Sequence, residues 1–547
     1  MAEYFDLGGH GRPVTTTSPE AQRWFSNGLT WAYAFNHEEA LRCFERAIAH
    51  DPRCAMAHWG VAYAIGPNYN KAWDAFDPVD LAATLERGYA ATRRAISCLD
   101  DTTAAEASLV RALAARFPSP RPPAATPEAD EGYANAMREA YAAHPEDLDV
   151  AALFADALLN VTPWQLWDLR SGRPAAGAHT AEAVDVLERS LGQPGGRSHP
   201  GILHMYIHLM EMSPQPERAL RAGDWLRGLV PDGGHLEHMP THIDAACGDY
   251  RSVVASNAAA VAADERFVAR EGAMNFYTLY RAHNYHFKIY GAMFLGQSEV
   301  ALATADQLAA ALPEELLRVE VPPMADWLEG FVPMKLHALI RFGRWQDIID
   351  TPLPADVGLY RVTTAMTHYA KGVAFAATGR LDEAADHQRL LAAATGRVPE
   401  SRTVFNNTCL DILAVASAML DGEIEYRAGH YDAAFAHLRR AIKVDDSLPY
   451  DEPWGWMQPA RHAYGALLLE QGEVTEAEAV YRADLGLDDT LPRANQHPGN
   501  VWSLHGYHEC LVRLGKTEQA RIIRQQLDLA AAQADVPITA SCACRLG

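Results

Sequence analysis

The chain has 547 residues, of which 49% are hydrophobic and 21% charged, so it can bury a large core and is not compositionally disordered. Its 70 Asp plus Glu against 47 Lys plus Arg give a formal net charge of -23, which argues against a nucleic-acid partner because phosphate binding needs a basic patch. No run of about 18 apolar residues occurs, so no membrane-spanning helix is expected.

The first stretch, MAEYFDLGGHGRPVTTTSPE, lacks the basic start and apolar run of a secretory signal, and a cytoplasmic protein is the expectation. Residues 1–20 read as an N-terminal extension. Helical repeats begin at Ala21: Trp24, Gly28, Trp31, Ala40, Phe44, Ala47 and Pro52 fall at positions 4, 8, 11, 20, 24, 27 and 32 of a 34-residue unit. That is the tetratricopeptide pattern, with large residues on a first helix, small ones where the second crosses closely, and a proline after it.

Weaker copies follow along the chain. They include Gly248 with Asp249; Gly296, Ala301 and Ala305; Gly372, Phe375, Gly379 and Ala384; Gly429, Ala434 and Ala441; and Gly465, Gly472, Ala477 and Tyr481. An all-α solenoid of antiparallel helix pairs is therefore expected, either open or closed around a central pocket, with each repeat burying its apolar face against its neighbours. No strand signal competes. Residues 21–115 read as N-terminal repeats, 133–310 as central repeats, 311–535 as C-terminal repeats and 536–547 as a tail. Pro/Gly-rich stretches at 116–132, 170–180 and 192–201 read as long loops between helix pairs.

Eight cysteines (43, 54, 98, 247, 409, 510, 542 and 544) are few and mostly isolated, which fits reduced thiols. Cys542 and Cys544 stand two apart, either as an exposed tail or as a soft-metal or redox pair.

Eight of the 23 histidines lie between 199 and 286. In HPGILHMYIHLME, His204, His208 and Glu211 stand at i, i+4 and i+7, on one helical face. Two imidazoles one turn apart can share a metal ion. Glu211 lies roughly 10 Å along the axis from His204 at 1.5 Å per residue, so it is open as a ligand, a base or a group orienting a histidine. In HLEHMPTHI, Pro240 suits a first helical position, which puts His238 just before a helix, His242 within it and His235 in the preceding loop. In HNYHF, His283 and His286 stand at i, i+3. Equivalent faces of adjacent helices in a solenoid line one surface, so convergence of the three blocks is expected.

A histidine-rich set with one carboxylate suits copper, iron or zinc better than magnesium or calcium. Met205, Met210, Met212 and Met239 are either core or soft ligands favouring copper. A metal-free polar pocket is the alternative for the same residues.

The blocks LLNVTPWQLW, HPGILHMYIHLMEMS, HLEHMPTHI, HNYHF and DEPWGWMQPARHAYGALLLEQG, with the first repeat, resemble a bacterial group of tetratricopeptide-repeat proteins across nearly the whole chain. The resemblance implies a repeat fold with a histidine-lined centre. It further implies that Asn160, Trp164, Trp167, Glu452, Trp456 and Arg461 face that cavity, the tryptophans walling a substrate and Arg461 holding a carboxylate.

Two functions are compatible with these readings. One is a metal-dependent enzyme acting on a small molecule, by oxidation in preference to hydrolysis, with His204, His208, His238 and His242 as leading ligands and His235, His283 and His286 as further ligands or supports. The other is a non-catalytic scaffold that binds a peptide in an open groove.

Overall fold

A computed structural model describes residues 4–121 and 127–545. The segment 122–126, inside the Pro-rich stretch read as a long loop, lies outside the described residues, as do 1–3 and 546–547. The described chain is all-α, built from tetratricopeptide-like helix pairs. It divides into two compact units, 1–243 with 259–272 and 244–258 with 273–547. Among the described residues no helix is long and apolar enough to cross a membrane.

In the first unit the opening pair runs Pro19–Tyr33 and His37–His50. Ser18 caps the first helix by accepting from the Ala21 amide, ahead of Pro19 at a position where a missing N–H is harmless. Asn36 caps the second helix through the Glu39 amide. In the second unit Arg361–Ala377 pairs with Leu381–Thr395, Cys409–Arg427 with Tyr431–Asp445, Ala460–Gln471 with Val474–Asp484, and Val501–Arg513 with Thr517–Ala531.

The repeat signals have a packing cause. A Cβ on Gly28 would lie 2.8 Å from the Phe44 ring, and one on Gly60 would lie 2.3 Å from it. Phe44 is thus clamped between the first helix of its own pair and the helix Ala55–Ile65 that follows. Tyr481 repeats the device between Gly465 and Gly506, at 2.5 and 2.2 Å. Each second-helix aromatic therefore ties its pair to the next one, which is the nearest-neighbour logic of a repeat array.

Turns between paired helices share one geometry. Gly296, Gly379, Gly429, Gly472 and Gly515 all have positive φ, each five residues before a small residue on the second helix. In the first pair that place is taken by Phe35, with φ 54°. A left-handed non-glycine residue costs about 1–2 kcal/mol.

Two features add to the sequence reading: short strands, which it did not expect, and the pairing of the last two cysteines, for which it left a redox pair open. Short hairpins occur at Trp167–Asp168 with Arg173–Pro174, and at Thr403–Val404 with Asn407–Thr408. Each is two residues long per strand, too short to leave an alternating pattern. The C-terminal cysteines Cys542 and Cys544 are joined by a disulfide, and the six others are free thiols.

Replacing Gly60 by Val is expected to lower stability by about 1–3 kcal/mol, the usual cost of overpacking a filled core. Thermal or urea unfolding of the full chain checks this. An unchanged midpoint would contradict the clamp.

Candidate metal centre

Five of the seven predicted histidines and Glu211 belong to the first unit, on three short elements. Pro200–Glu211 carries His204, His208 and Glu211. Its start is set by Pro200 and by His199, whose Nδ1 accepts from the Ile202 amide at 3.2 Å. Gly201 lets this helix approach the Pro19–Tyr33 helix, since a Cβ there would lie 2.7 Å from the Tyr33 ring. His235 and His238 sit on the helix Gly234–His238, and His242 on Pro240–Cys247. His235 is thus helical rather than in a loop, one turn from His238. Gly234 permits it, because a Cβ there would meet the Asp264 carboxylate at 2.1 Å.

All five imidazoles and Glu211 are buried, none more than 1% exposed. In three of the five rings a hydrogen bond to oxygen defines which nitrogen is available. A carbonyl or carboxylate oxygen only accepts, so the ring nitrogen facing it carries the proton. His204 Nδ1 donates to the Tyr33 carbonyl at 2.6 Å. His208 Nδ1 donates to Glu211 Oε1 at 3.2 Å, and His242 Nδ1 donates to Glu211 Oε2 at 2.6 Å. In all three rings Nε2 is therefore the lone-pair nitrogen. His238 is set differently: its Nε2 donates to the lone-pair Nε2 of His242 at 2.8 Å, while the Thr241 hydroxyl donates to the His238 carbonyl at 2.7 Å.

The Nε2 atoms converge. His204 and His235 approach to 3.1 Å through Nε2, and His238 and His242 to 2.8 Å. Two nitrogens bound at about 2.0–2.1 Å to one ion sit roughly 3–3.4 Å apart, a range that the His204–His235 separation meets and the shorter His238–His242 separation does not; both are also hydrogen-bond distances. His208 Nε2 is fully buried with no hydrogen-bond partner. His204, His208 and His235 together offer ligand atoms all within 4.8 Å of one another. Burial pushes His204 down to about 3 and His208 well below its ordinary value, each lowered further by neighbouring histidines. Both rings stay neutral, the form a metal requires.

Glu211 also belongs to a group with His208 and His242 whose atoms are close enough for one ion. Both of its oxygens already accept Nδ1 protons, however, and a carboxylate backing an imidazole is the usual support behind a metal-bound histidine. Its geometry fits orienting two ligands better than coordinating.

Aromatic rings close the site. Phe35 lies with its centre 4.4 Å from His204, 5.7 Å from His208 and 5.3 Å from His235, nearly parallel to the last two. Tyr69 lies 4.5 Å from His208 and 5.0 Å from Trp164. Trp164, itself 6.0 Å from His208, is another non-glycine residue with positive φ, 60°. Phe35 and Tyr69 escaped the sequence reading. Phe35 left one signal: it occupies the turn position that is glycine in five later helix pairs.

The remaining predicted residues have these settings. Trp167 Nε1 donates to the Leu209 carbonyl at 2.7 Å, satisfying the end of the histidine helix. Asn160 donates to the Asp156 side chain and carbonyl, both at 2.9 Å. In the second unit, His283 stands on the helix Thr278–Leu295 with its ring 4.8 Å from Phe405, and His286 Nε2 lies 2.8 Å from Met457 Sδ. Burial pushes His286 down to about 3. Trp456 packs edge-on to His337 at 5.0 Å, and Glu452 accepts from the Tyr450 hydroxyl. Arg461 holds the carboxylate of Asp446 through both terminal nitrogens.

A second histidine–carboxylate group, His10, Asp149 and His199, has a different character. His199 Nδ1 accepts an amide proton, so its Nε2 carries hydrogen and donates to Asp149 Oδ1 at 3.1 Å. The Tyr33 hydroxyl and Arg12 donate to the same carboxylate, at 2.7 and 3.2 Å. This is a hydrogen-bonded hub tying residues 10–12 to the unit.

No family model and no curated protein matches the chain. Among solved structures it is similar to the APC/C hetero-tetramer Cut9-Hcn1, with 13% identity, 87% of this chain and 74% of that one covered, and a TM-score of 0.32. It is also similar to Naa15/Naa10 bound to HypK-THB, with 15% identity, 93% and 70% coverage, and a TM-score of 0.22.

Glu211→Gln tests the orienting role. A glutamine offers one acceptor and one amide donor, so one of His208 and His242 must turn its proton onto Nε2. Zinc affinity is expected to fall by about 10–100-fold with unchanged circular dichroism. Unaltered affinity would contradict the assignment.

Proposed function

We propose that the first unit binds a divalent transition metal ion, copper, iron or zinc, through neutral imidazole Nε2 atoms, with His204, His208 and His235 as the principal set. The observation that carries this is the common tautomer: His204, His208 and His242 have Nδ1 tied to an oxygen acceptor and Nε2 turned inward. His208 adds a buried Nε2 without a hydrogen-bond partner, beside the facing nitrogens of His204 and His235.

The finer reading is metal-assisted chemistry on a small molecule, oxidation in preference to hydrolysis. A bound ion would polarise a substrate oxygen or activate water. Three protein ligands leave a coordination position for that substrate. Trp164 and Tyr69, adjacent to His208, supply an aromatic wall. The likeness of the paired-histidine blocks to the bacterial tetratricopeptide group belongs to this proposal.

The helix-pair architecture itself favours a second reading, a non-catalytic scaffold for a protein or peptide partner. The two readings differ in what the buried histidines are for. Elemental analysis of untagged protein purified without chelator is expected to find at least one equivalent of copper, iron or zinc per chain. His208→Ala should lose at least one equivalent, and His430→Ala, at an exposed ion pair with Glu425, should lose none. Protein free of metal, or metal undiminished in His208→Ala, would leave the scaffold as the better reading.

A further inference from the structure

Resting on the metal reading above, we infer that the histidine cluster holds two metal ions rather than one, the first on His204, His208 and His235 and the second on His238 and His242, with Glu211 spanning the two sets.

A single ion with nitrogens at about 2.1 Å requires every ligand atom to lie within roughly 4.2 Å of every other. The five imidazoles are arranged instead as two close Nε2 pairs, His204 with His235 at 3.1 Å and His238 with His242 at 2.8 Å. His235 and His238 link the pairs on one helix. Their ring planes differ by only 25° and their centres are 5.8 Å apart. Ring spacing alone does not divide the sets, since His208 and His235 are 6.2 Å apart; the division lies in the ligand atoms, because among the described residues His204, His208 and His235 lie within 4.8 Å of one another and neither His238 nor His242 joins that group. On the other flank His208 and His242 are 5.9 Å apart, centre to centre, with planes at 85°.

Glu211 has the matching symmetry. Oε1 accepts from His208, a member of the first set, and Oε2 accepts from His242, a member of the second. A carboxylate used this way orients one ligand of each ion and adds one negative charge between two cations. That placement offsets part of their repulsion, which is otherwise severe in a buried site. Two-metal sites commonly hold an oxygen donor between their ions. The ligand class that follows is a small oxygen donor: a hydroxide, dioxygen, or a substrate carboxylate or phosphate held between the ions.

The test is zinc stoichiometry. Full-length protein stripped with chelator is reloaded with excess zinc, desalted and analysed for metal per chain. Two equivalents are expected in the unaltered protein, and one in each of His235→Asn and His238→Asn, with folding checked by circular dichroism. One equivalent in the unaltered protein would overturn the two-ion inference and leave the metal reading intact. Two equivalents retained in both folded variants would overturn the ligand assignment on which it rests. No zinc at all would overturn the metal reading itself. The stoichiometry of the unaltered protein decides between one ion and two even if a variant fails to fold.

Discussion

The Glu211 carboxylate, shared between His208 Nδ1 and His242 Nδ1, is the constraint on which the site depends. Burying a lone carboxylate is costly unless hydrogen bonds replace the water it loses. Two imidazole donors do so here, and accepting their protons fixes both rings with Nε2 facing inward. One residue thereby joins the helix Pro200–Glu211 to the helix Pro240–Cys247 and sets the chemistry of both. A negative charge enclosed among neutral imidazoles is also an environment that a cation would stabilise.

The repeat array explains how such a site can be rigid. Phe44 and Tyr481, each held between glycines of consecutive helix pairs, lock neighbouring repeats at fixed distances. Gly201 and Gly234 bring the histidine helices within reach of the Tyr33 ring and Asp264. Tyr33 then returns a carbonyl to His204. Ligands on helices whose spacing is fixed by backbone contact are positioned more exactly than ligands on loops. Phe35 carries a cost, since its turn is strained where other repeats use glycine, and its ring lies against three of the five histidines. Strain kept at a functional position in this way is typical of sites that need a particular side chain there.

Much of the fold was legible because its signals are local and periodic. The Gly28, Ala40 and Phe44 register follows from helix pairs that must cross closely, and the glycine turns follow from positive φ. The i, i+4 and i+7 spacing of His204, His208 and Glu211 likewise reads directly as one helical face. What could not be read depends on contacts distant in sequence. Nothing local tells that Glu211 reaches His242, 31 residues on, or that His204 faces His235. His235 was expected in a loop because Gly233 and Gly234 mark a turn, and those glycines instead serve a short helix and a close approach. Arg461, expected near a substrate carboxylate, finds a carboxylate fifteen residues earlier in Asp446. Trp167 turns its indole to a helix-end carbonyl, a need that no sequence pattern announces.

In the proposed site imidazole Nε2 atoms alone supply the protein ligands, with Glu211 behind them and Met205, Met210, Met212 and Met239 in the core. X-ray absorption at the zinc edge of the reloaded full-length protein tests it most directly. A shell of light atoms at about 2.0–2.1 Å with the outer scattering of several imidazole rings is expected. A sulfur shell near 2.3 Å, or a shell without imidazole scattering, would contradict it.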